Sequence, residues 1–208
     1  MKKTLLYLSF SPREDSVSTS LADGFVTQWQ TANKDAQVLR HALGQDGVTG
    51  PDDAWIKANM IPAAERTPEQ VATLAFSEKT IDELHQASHI LIASPMYNFN
   101  IPWTFKAYID LIVRAGKTFS FDPQKGPGPL LDSSKKLLLV RSSAFDYKSG
   151  TPSESFDHML PYLKLVFGFM GVTNLESVDA FNQWAGVEAA EASREQANSR
   201  LTELSARW

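Results

Sequence analysis

The segment with the clearest chemical potential is a loop that contains Met96, Tyr97, Asn98 and Phe99. It follows Ile90–Ala93, a short apolar run typical of a strand that is buried on both faces. Pro95 ends this strand, because proline has no amide hydrogen to donate to a neighbouring strand. Loops that face water are usually small and polar, so three large side chains around one amide predict contact with a flat, hydrogen-bonding ring. The alternative is an aromatic plug that seals the end of the sheet.

A hydroxyl-rich segment, residues 9–20, leads from the first predicted strand into a helix. Free amides and the positive end of a helix dipole form a site for phosphate, and serine and threonine hydroxyls add donors. The segment lacks G-x-G-x-x-G and G-x-x-x-x-G-K-[ST], which disfavours dinucleotide and P-loop ATP binding. A single terminal phosphate, as on a mononucleotide, fits better. A solvated serine-rich turn with a helix cap is the alternative.

A third loop, Arg141–Tyr147, follows an apolar strand that should lie beside the strand before Pro95. The carboxyl ends of parallel strands meet at one edge of a sheet. The backbone amides of this loop can therefore reach the ring edge opposite Asn98. A plain connection from strand to helix is the alternative for this segment.

Composition excludes several other chemistries. The 208 residues include 0 cysteines, which removes thiol nucleophiles, thiolate metal sites and disulfides and suits a reducing compartment. No G-x-S-x-G motif supports a serine hydrolase. A phosphodiesterase would need metal ligands or a nucleophile–base pair, and neither can be assembled. We expect no metal site, because none of the histidines shows ligand spacing: His41, His85, His89 and His158.

The charge pattern bears on partners and location. The net charge is -4, with acidic and basic residues interspersed, so nucleic-acid binding is disfavoured. No apolar run approaches the roughly 20 residues that span a bilayer. We therefore expect a cytoplasmic protein with neither a nucleic-acid nor a membrane partner.

Hydrophobic periodicity and turn residues predict the elements that position these loops. The predicted strands are Thr4–Ser9, Gln37–Ala42, Ile90–Ala93, Lys136–Ser142 and Thr173–Val178. The predicted helices are Ser18–Asn33, a helix that starts at Pro68 with Thr67 and Gln70 as a capping box, Pro102–Ala115, Phe156–Met170 and Val187–Leu204. Residues 43–66, apart from a short helix, and residues 117–134 are predicted as loops.

Strands and helices alternate along the chain, which predicts a doubly wound α/β fold with helices on both faces of a parallel sheet. About five strands favour the flavodoxin-like order 2-1-3-4-5 over a six-stranded Rossmann sheet. The length fits a single domain over residues 1–208. In this order the loops after strands one and three face each other across a crevice.

Pro95–Ile101, followed by Arg114–Phe119, closely resembles the bacterial FMN-dependent NADH-azoreductases, which belong with the flavodoxin-like NAD(P)H:quinone oxidoreductases. The resemblance covers nearly the whole chain and includes Phe25–Trp29, Pro161–Leu163 and Gly168–Gly171. It implies non-covalent FMN, with NADH or NADPH as the electron donor. It also implies a homodimer with two sites at the subunit interface, which reduces quinones and azo compounds by a ping-pong mechanism.

The resemblance assigns residues to three parts of the flavin site. The phosphate loop maps onto Ser16, Val17 and Ser18, and the ring-contacting segment onto Pro95, Met96, Tyr97, Asn98 and Phe99. A second flavin loop maps onto Ser142, Ser143, Ala144 and Phe145. The substrate face maps onto Phe99, Phe121 and Phe169, with Phe121 reaching across the dimer.

Two departures from the family pattern affect this assignment. An earlier phosphate-loop hydroxyl falls on Phe10, so either Ser9 or Ser11 takes its place or the contact is lost. Ala144 and Phe145 stand where the family has glycines, which permit positive φ and close backbone approach. Phe145 should therefore reshape the mouth of the pocket.

No side chain is required as an obligatory acid, and water or Tyr147 can deliver protons. A surface tyrosine is the alternative for Tyr147. Two other functions of the same fold remain open. One is a flavodoxin-type electron carrier without substrate turnover, and the other is an NADPH-dependent flavin or chromate reductase.

Overall fold

A computed structural model describes residues 3–208 of the chain. Over that range the strands are β1 (Thr4–Ser9), β2 (Gln37–His41), β3 (His89–Pro95), β4 (Phe119–Asp122), β5 (Gly126–Pro129), β6 (Lys136–Ser142) and β7 (Asn174–Ala180). The α-helices are α1 (Val17–Ala32), α2 (Leu43–Asp46), α3 (Asp53–Met60), α4 (Pro68–Gln86), α5 (Trp103–Ile112), α6 (Met159–Met170) and α7 (Val187–Arg207). Short 3₁₀ turns lie at Ala63–Glu65 and Glu154–Phe156.

The main sheet has five parallel strands in the spatial order β2-β1-β3-β6-β7. Helices cover both faces, which confirms the predicted α/β architecture. Phe25 and Trp29 of α1 pack with Leu201 of α7 on one face. On the other face Phe105 of α5 and Phe167 of α6 belong to the larger apolar cluster. Strands β1 and β3 are buried along their whole length, as their apolar sequences predict.

The predicted strand order 2-1-3-4-5 needs correction, because residues 117–134 are not simply a loop. This stretch forms β4 and β5, a separate antiparallel sheet in which Phe119 pairs with Pro129. The main sheet therefore continues from β3 to the sixth strand of the chain. The hairpin departs from the prediction because β5 reads Gly-Pro-Gly-Pro, a composition depleted in strands.

Other element boundaries agree closely or shift for clear reasons. The bounds of β1 and β6 are those predicted, and the side chains of Thr67 and Gln70 form the predicted capping box of α4. Residues 43–66 contain two helices rather than one, since Asp52 caps α3 by accepting from the Trp55 amide. Helix α6 starts at Met159 and not at 156, after the separate 3₁₀ turn.

The remaining predicted bounds differ by a few residues at the ends. α1 starts one residue earlier, because Ser16 is its cap. α5 is shorter than predicted at both ends, α7 runs on to Arg207 and β7 runs on to Ala180. Within residues 3–208 no helix combines the length and the apolar character that crossing a membrane requires.

Candidate functional site

The loops after β1, β3, β6 and β7 meet at the carboxyl edge of the sheet and enclose a cavity of ≈ 470 Å³. This is the edge at which open α/β sheets bind ligands. The lining residues come from four separate chain segments: Ser11, Arg13, Asp15, Ser16, Val17, Pro95, Met96, Tyr97, Asn98, Phe99, Ser142, Ser143, Ala144, Phe145, Tyr147, Gln183 and Trp184.

One end of the cavity is the N-terminus of α1. Ser16 caps this helix, and its side chain accepts a hydrogen bond from the Thr19 amide at 3.3 Å. Val17 and Ser18 occupy the first helical positions, where the amides have no carbonyl of a preceding turn to bind. The first turn contains no acidic residue. Free amides and the helix dipole together make this end suitable for a phosphate.

The rest of the β1 loop brings a charged pair to the cavity. The Arg13 guanidinium binds the Asp15 carboxylate at 2.7 and 2.9 Å. This hydrogen bond and the charge of Arg13 lower the pKa of Asp15, so the carboxylate stays ionised. The Arg13 amide donates to Ser11 Oγ at 3.2 Å, which fixes the course of the loop.

The β3 loop makes a tight turn into the cavity. The Tyr97 amide donates to the Asn100 carbonyl at 2.9 Å, and the Asn100 amide returns a bond at 3.0 Å. Both central residues have positive φ, 47° at Asn98 and 71° at Phe99. This pattern defines a type I′ turn. Asparagine tolerates that conformation, but for phenylalanine it is strained, and such strain concentrates at functional sites.

The side chains of this turn stay accessible. Tyr97 is 40% exposed and Phe99 is 47% exposed, although both are large aromatic residues. The turn itself is held firmly, because the His158 amide donates to the Phe99 carbonyl at 3.1 Å. The aromatic plug considered above would require these rings to be buried. Their exposure instead favours a surface that meets a ligand.

The β6 and β7 loops are joined by backbone hydrogen bonds. The Gln183 amide donates to the Ser143 carbonyl at 3.1 Å, and the Trp184 amide donates to the Ala144 carbonyl at 3.3 Å. The Ser143 amide is already used, since it donates to the Ala180 carbonyl. Within the described chain the Ala144 and Phe145 amides donate no hydrogen bond, so they remain for a ligand.

A buried ion-pair network lies beneath these loops. Arg141 contacts Asp179 at 2.6 Å and Asp157 at 2.5 Å, and its guanidinium also lies over the Phe181 ring. Burial opposes the charge, but the two carboxylates outweigh this effect and raise the pKa of Arg141. Asp157 also accepts the Met159 amide at the start of α6. The network therefore connects both loop-bearing strands to a helix.

Tyr147 lines the cavity but is mostly buried, with its ring edge-on to Phe181 at 5.8 Å. Burial raises the pKa of its phenol, so the group stays protonated at neutral pH. It is therefore not the surface tyrosine that was considered as the alternative.

Most predicted site residues come together, but some lie outside the cavity lining. Ser9 and Ser18 are buried behind it, and Ser18 Oγ lies 3.3 Å from Ser16 Oγ. Phe121 is exposed on β4, and Phe169 packs on Phe119, so neither reaches the cavity of its own chain.

Phe10 points away from the cavity and into the core. Its ring stacks on Phe105 at a centroid distance of 3.9 Å, and it is fully buried. Its side chain therefore cannot take the place of a ligand-binding hydroxyl. Of the two serines considered for that position, Ser11 lines the cavity and Ser9 does not.

Four lining residues are not among the predicted site residues: Arg13, Asp15, Gln183 and Trp184. Arg13 and Asp15 lie within the hydroxyl-rich segment, so the predicted position of that segment beside the site could have identified them. Gln183 and Trp184 follow the edge strand β7, and no local pattern marks them. Only the predicted strand order, which places a loop after β7 at the same edge, could have suggested them.

The cavity fits FMN better than it fits a metal ion. One end offers helix amides for a phosphate, and exposed aromatic and amide side chains near Asn98 offer contacts for a planar heterocycle. Over residues 3–208 no cluster of three or more histidine, aspartate or glutamate side chains could hold a metal.

Comparisons with known proteins agree with this geometry. The model of a family described by its flavodoxin-like fold matches residues 3–204. A Nostoc sp. protein named FMN-dependent NADH:quinone oxidoreductase is 39% identical over 205 residues, which cover 98% of this chain and 99% of the relative. A protein of the same name from Acidobacterium capsulatum is 38% identical over 85% of each chain.

Solved structures show the same fold. An azoreductase from Bacillus anthracis str. Sterne superposes with a TM-score of 0.88 at 23% identity, over 99% of this chain and 100% of the other. An FMN-dependent NADH-azoreductase from Bacillus anthracis str. Ames Ancestor, solved in complex with FMN, gives a TM-score of 0.89 at 22% identity, over 99% and 98%.

Proposed function

Because this chain belongs to the family of FMN-dependent NADH:quinone oxidoreductases with a flavodoxin-like fold, we propose that it binds FMN and reduces quinones and azo compounds with electrons from NADH. The observation that carries the proposal is one cavity that joins the N-terminus of α1 to the strained turn at Asn98 and Phe99. A ligand with a phosphate at one end and a planar ring at the other requires both of these features in a single cavity.

Three segments would hold the cofactor. The amides of Val17 and Ser18 and the hydroxyls of Ser11 and Ser16 would bind the phosphate, with Ser18 Oγ supporting Ser16 from behind. Pro95–Phe99 would lie against the ring. Ser142–Phe145 would approach its polar edge from the other side, and the free amides of Ala144 and Phe145 suit an edge that gains negative charge.

FMN supplies reversible transfer of two electrons when it is bound. Donor and acceptor would use the same open cavity beside the flavin ring in turn, and ping-pong kinetics follow. Reduction of one quinone to its hydroquinone takes two electrons and two protons. NADH delivers a hydride, which carries both electrons and one proton, and the second proton comes from water or Tyr147. The phenol of Tyr147 holds a proton at neutral pH and lines the cavity.

The homodimer is part of the proposal. Large apolar side chains are exposed outside the cavity: Met60, Trp103, Phe121 and Leu165. Contiguous exposed apolar surface marks interfaces, and we propose that these side chains belong to the dimer interface. A partner subunit that covers it would bring the partner's Phe121 towards the substrate face and place Phe169 near it. A cytoplasmic location and the lack of nucleic-acid and membrane partners remain predictions from composition.

The test starts with the purified protein and FMN. We expect a yellow complex whose flavin absorption bleaches when NADH is added without oxygen and returns when a quinone is added. Failure to bind FMN would overturn the proposal. Rapid bleaching by NADH and steady turnover of quinone exclude the electron carrier. Faster bleaching by NADPH, with free flavin or chromate as the preferred acceptor, would favour the reductase alternative.

A further inference from the structure

Two aromatic side chains at the cavity remain unexplained by cofactor binding. Phe145 is 57% exposed and Trp184 is 80% exposed, yet both line the cavity. Their ring centroids lie 6.5 Å apart and their planes meet at 72°. The two rings therefore form an open right-angled surface, here called the aromatic corner. A flat molecule stacked on one ring would meet the other ring edge-on, which is a favourable geometry for aromatic groups.

Backbone hydrogen bonds fix the two loops that carry the aromatic corner. The Trp184 amide donates to the Ala144 carbonyl, directly before Phe145, and the Asn182 amide donates to the Phe145 carbonyl at 3.5 Å. Both loops also start from strands that the pair Arg141–Asp179 joins. Loops that are fixed before binding lose little backbone freedom when a ligand arrives.

Charge indicates which ligand suits the aromatic corner. Its neighbours in the cavity lining, Ala144, Tyr147 and Gln183, are uncharged, and the charged residue that follows Phe145, Asp146, is acidic and accepts from the Asn182 side chain at 3.2 Å. The one cation among the lining residues, Arg13, lies in the β1 loop and is paired with Asp15. The diphosphate of a pyridine nucleotide would thus find no cation at the aromatic corner, whereas an uncharged fused ring would find two aromatic surfaces.

We propose that the aromatic corner selects electron acceptors with fused, uncharged rings, such as naphthoquinones, over single-ring benzoquinones. The inference rests on the proposed function and adds a specificity-determining role for Trp184 and Phe145. The quinone ring lies near the Asn98–Phe99 turn, and the second fused ring reaches the aromatic corner. One aromatic contact changes selectivity by roughly three- to tenfold.

The kinetic test uses Trp184→Leu, which keeps an apolar side chain but removes the flat ring. The ratio of kcat/KM for 1,4-naphthoquinone to kcat/KM for 1,4-benzoquinone should fall roughly three- to tenfold. Phe76→Leu is the matched control, because Phe76 is an exposed aromatic residue on α4 outside the cavity. An unchanged ratio, or equal loss with both quinones, would overturn the inference.

A binding measurement separates the inference from the proposed function. Without NADH, 1,4-naphthoquinone should quench part of the tryptophan fluorescence, and the Trp184→Leu variant should lose this part while Phe76→Leu keeps it. This readout works even if the wild-type protein turns over no quinone, an outcome that would overturn the proposed function alone.

Two results would give Trp184 another role. If Trp184→Leu raised the Kd for FMN enough to account for the whole loss of kcat/KM, the Trp184 ring would belong to the cofactor site. A concentration-dependent loss of the dimer would assign it to a subunit contact. Either result would overturn the inference.

Discussion

Arg141 and Asp179 form a doubly hydrogen-bonded ion pair, with Nε–Oδ1 at 2.6 Å and Nη2–Oδ2 at 3.0 Å, between the last residues but one of β6 and β7. The two residues are also direct neighbours in the register of the sheet. The loops that complete the cavity begin within two residues of this pair. Its geometry therefore sets the relative position of those loops.

Removing Arg141 should destabilise the protein strongly. Arg141→Met leaves Asp157 and Asp179 without their buried cation, which typically costs about 3–5 kcal/mol. The free energy of unfolding in urea measures this loss. Arg200→Met is the control, because Arg200 forms only exposed ion pairs with Glu176 and Glu203 and should change stability by about 1 kcal/mol at most. Similar losses in both variants would contradict the structural role of Arg141.

Val17→Pro should weaken FMN binding without damaging the helix. Val17 is the first residue of α1, a position where proline is well tolerated, and Ser16 already has the extended backbone that precedes a proline. The substitution removes one amide donor from the phosphate site. We expect the Kd for FMN to rise about tenfold, while the Kd for riboflavin, which lacks the phosphate, stays nearly constant.

The corresponding control is Val187→Pro, at the first position of α7, which should leave both dissociation constants unchanged. Isothermal titration or flavin fluorescence gives the values. An equal effect of Val17→Pro on riboflavin would show that the N-terminus of α1 does not hold the phosphate.

Two substitutions at Asn98 separate the contribution of its side chain to FMN binding from the contribution of its backbone conformation to stability. Asn98→Gly preserves the positive φ at no steric cost, whereas Asn98→Ala places there a residue that tolerates positive φ less well than asparagine does, at roughly 1 kcal/mol of stability. If the amide group contacts the flavin ring, both variants should bind FMN about fivefold more weakly. Only the alanine variant should also unfold at lower urea concentration. Full FMN affinity in Asn98→Gly would rule out a role for the amide.

Stability should fall in mild acid because of His89. This residue is buried, Ser88 Oγ lies 2.9 Å from its Nδ1, and within residues 3–208 its Nε2 has no hydrogen-bond partner. Burial lowers the pKa of His89 from 6.5 to about 4. The His89 imidazole therefore binds a proton more readily in the unfolded chain than in the folded protein. The stabilisation is complete above pH 6.5 and is lost as the pH falls towards 4, by on the order of 3 kcal/mol.

Unfolding free energies measured between pH 4 and pH 7 check this slope. His89→Gln removes the titrating group and should flatten the profile, while His85→Gln, on the surface of α4, should leave it in place. A wild-type profile without a slope over this range would contradict the buried neutral imidazole.

The parts of the fold that the sequence could predict are those where local and global signals agree. The apolar runs of β1 and β6 and the capping box of α4 are examples. The β4–β5 hairpin could not be predicted, because contacts distant in sequence hold it. The Leu131 amide, just after β5, donates to the carbonyl of Met170, and a Cβ on Gly171 would meet the Leu131 carbonyl oxygen.

The candidate site likewise has parts that could be predicted from the sequence and parts that could not. Its segments after β1, β3 and β6 follow from strand order and residue type. The positive φ of Phe99 and the position of Trp184 do not, because phenylalanine rarely adopts that conformation and nothing local marks the loop after β7. The displacement of Phe10 into the core depends on Phe105, which lies far along the chain.

The cavity is assembled from the ends of four parallel strands, and the three central ones, β1, β3 and β6, are buried along nearly all of their length. Beyond those ends, Phe10 belongs to the apolar core and has to be kept, whereas the exposed aromatic side chains of the site lie outside the apolar layers: Tyr97, Phe99, Phe145 and Trp184. Segments grafted from relatives should therefore alter which oxidants are accepted while the scaffold keeps its shape. The protein is thus suited to redesign by exchange of these segments, because the parallel sheet that positions them stays the same.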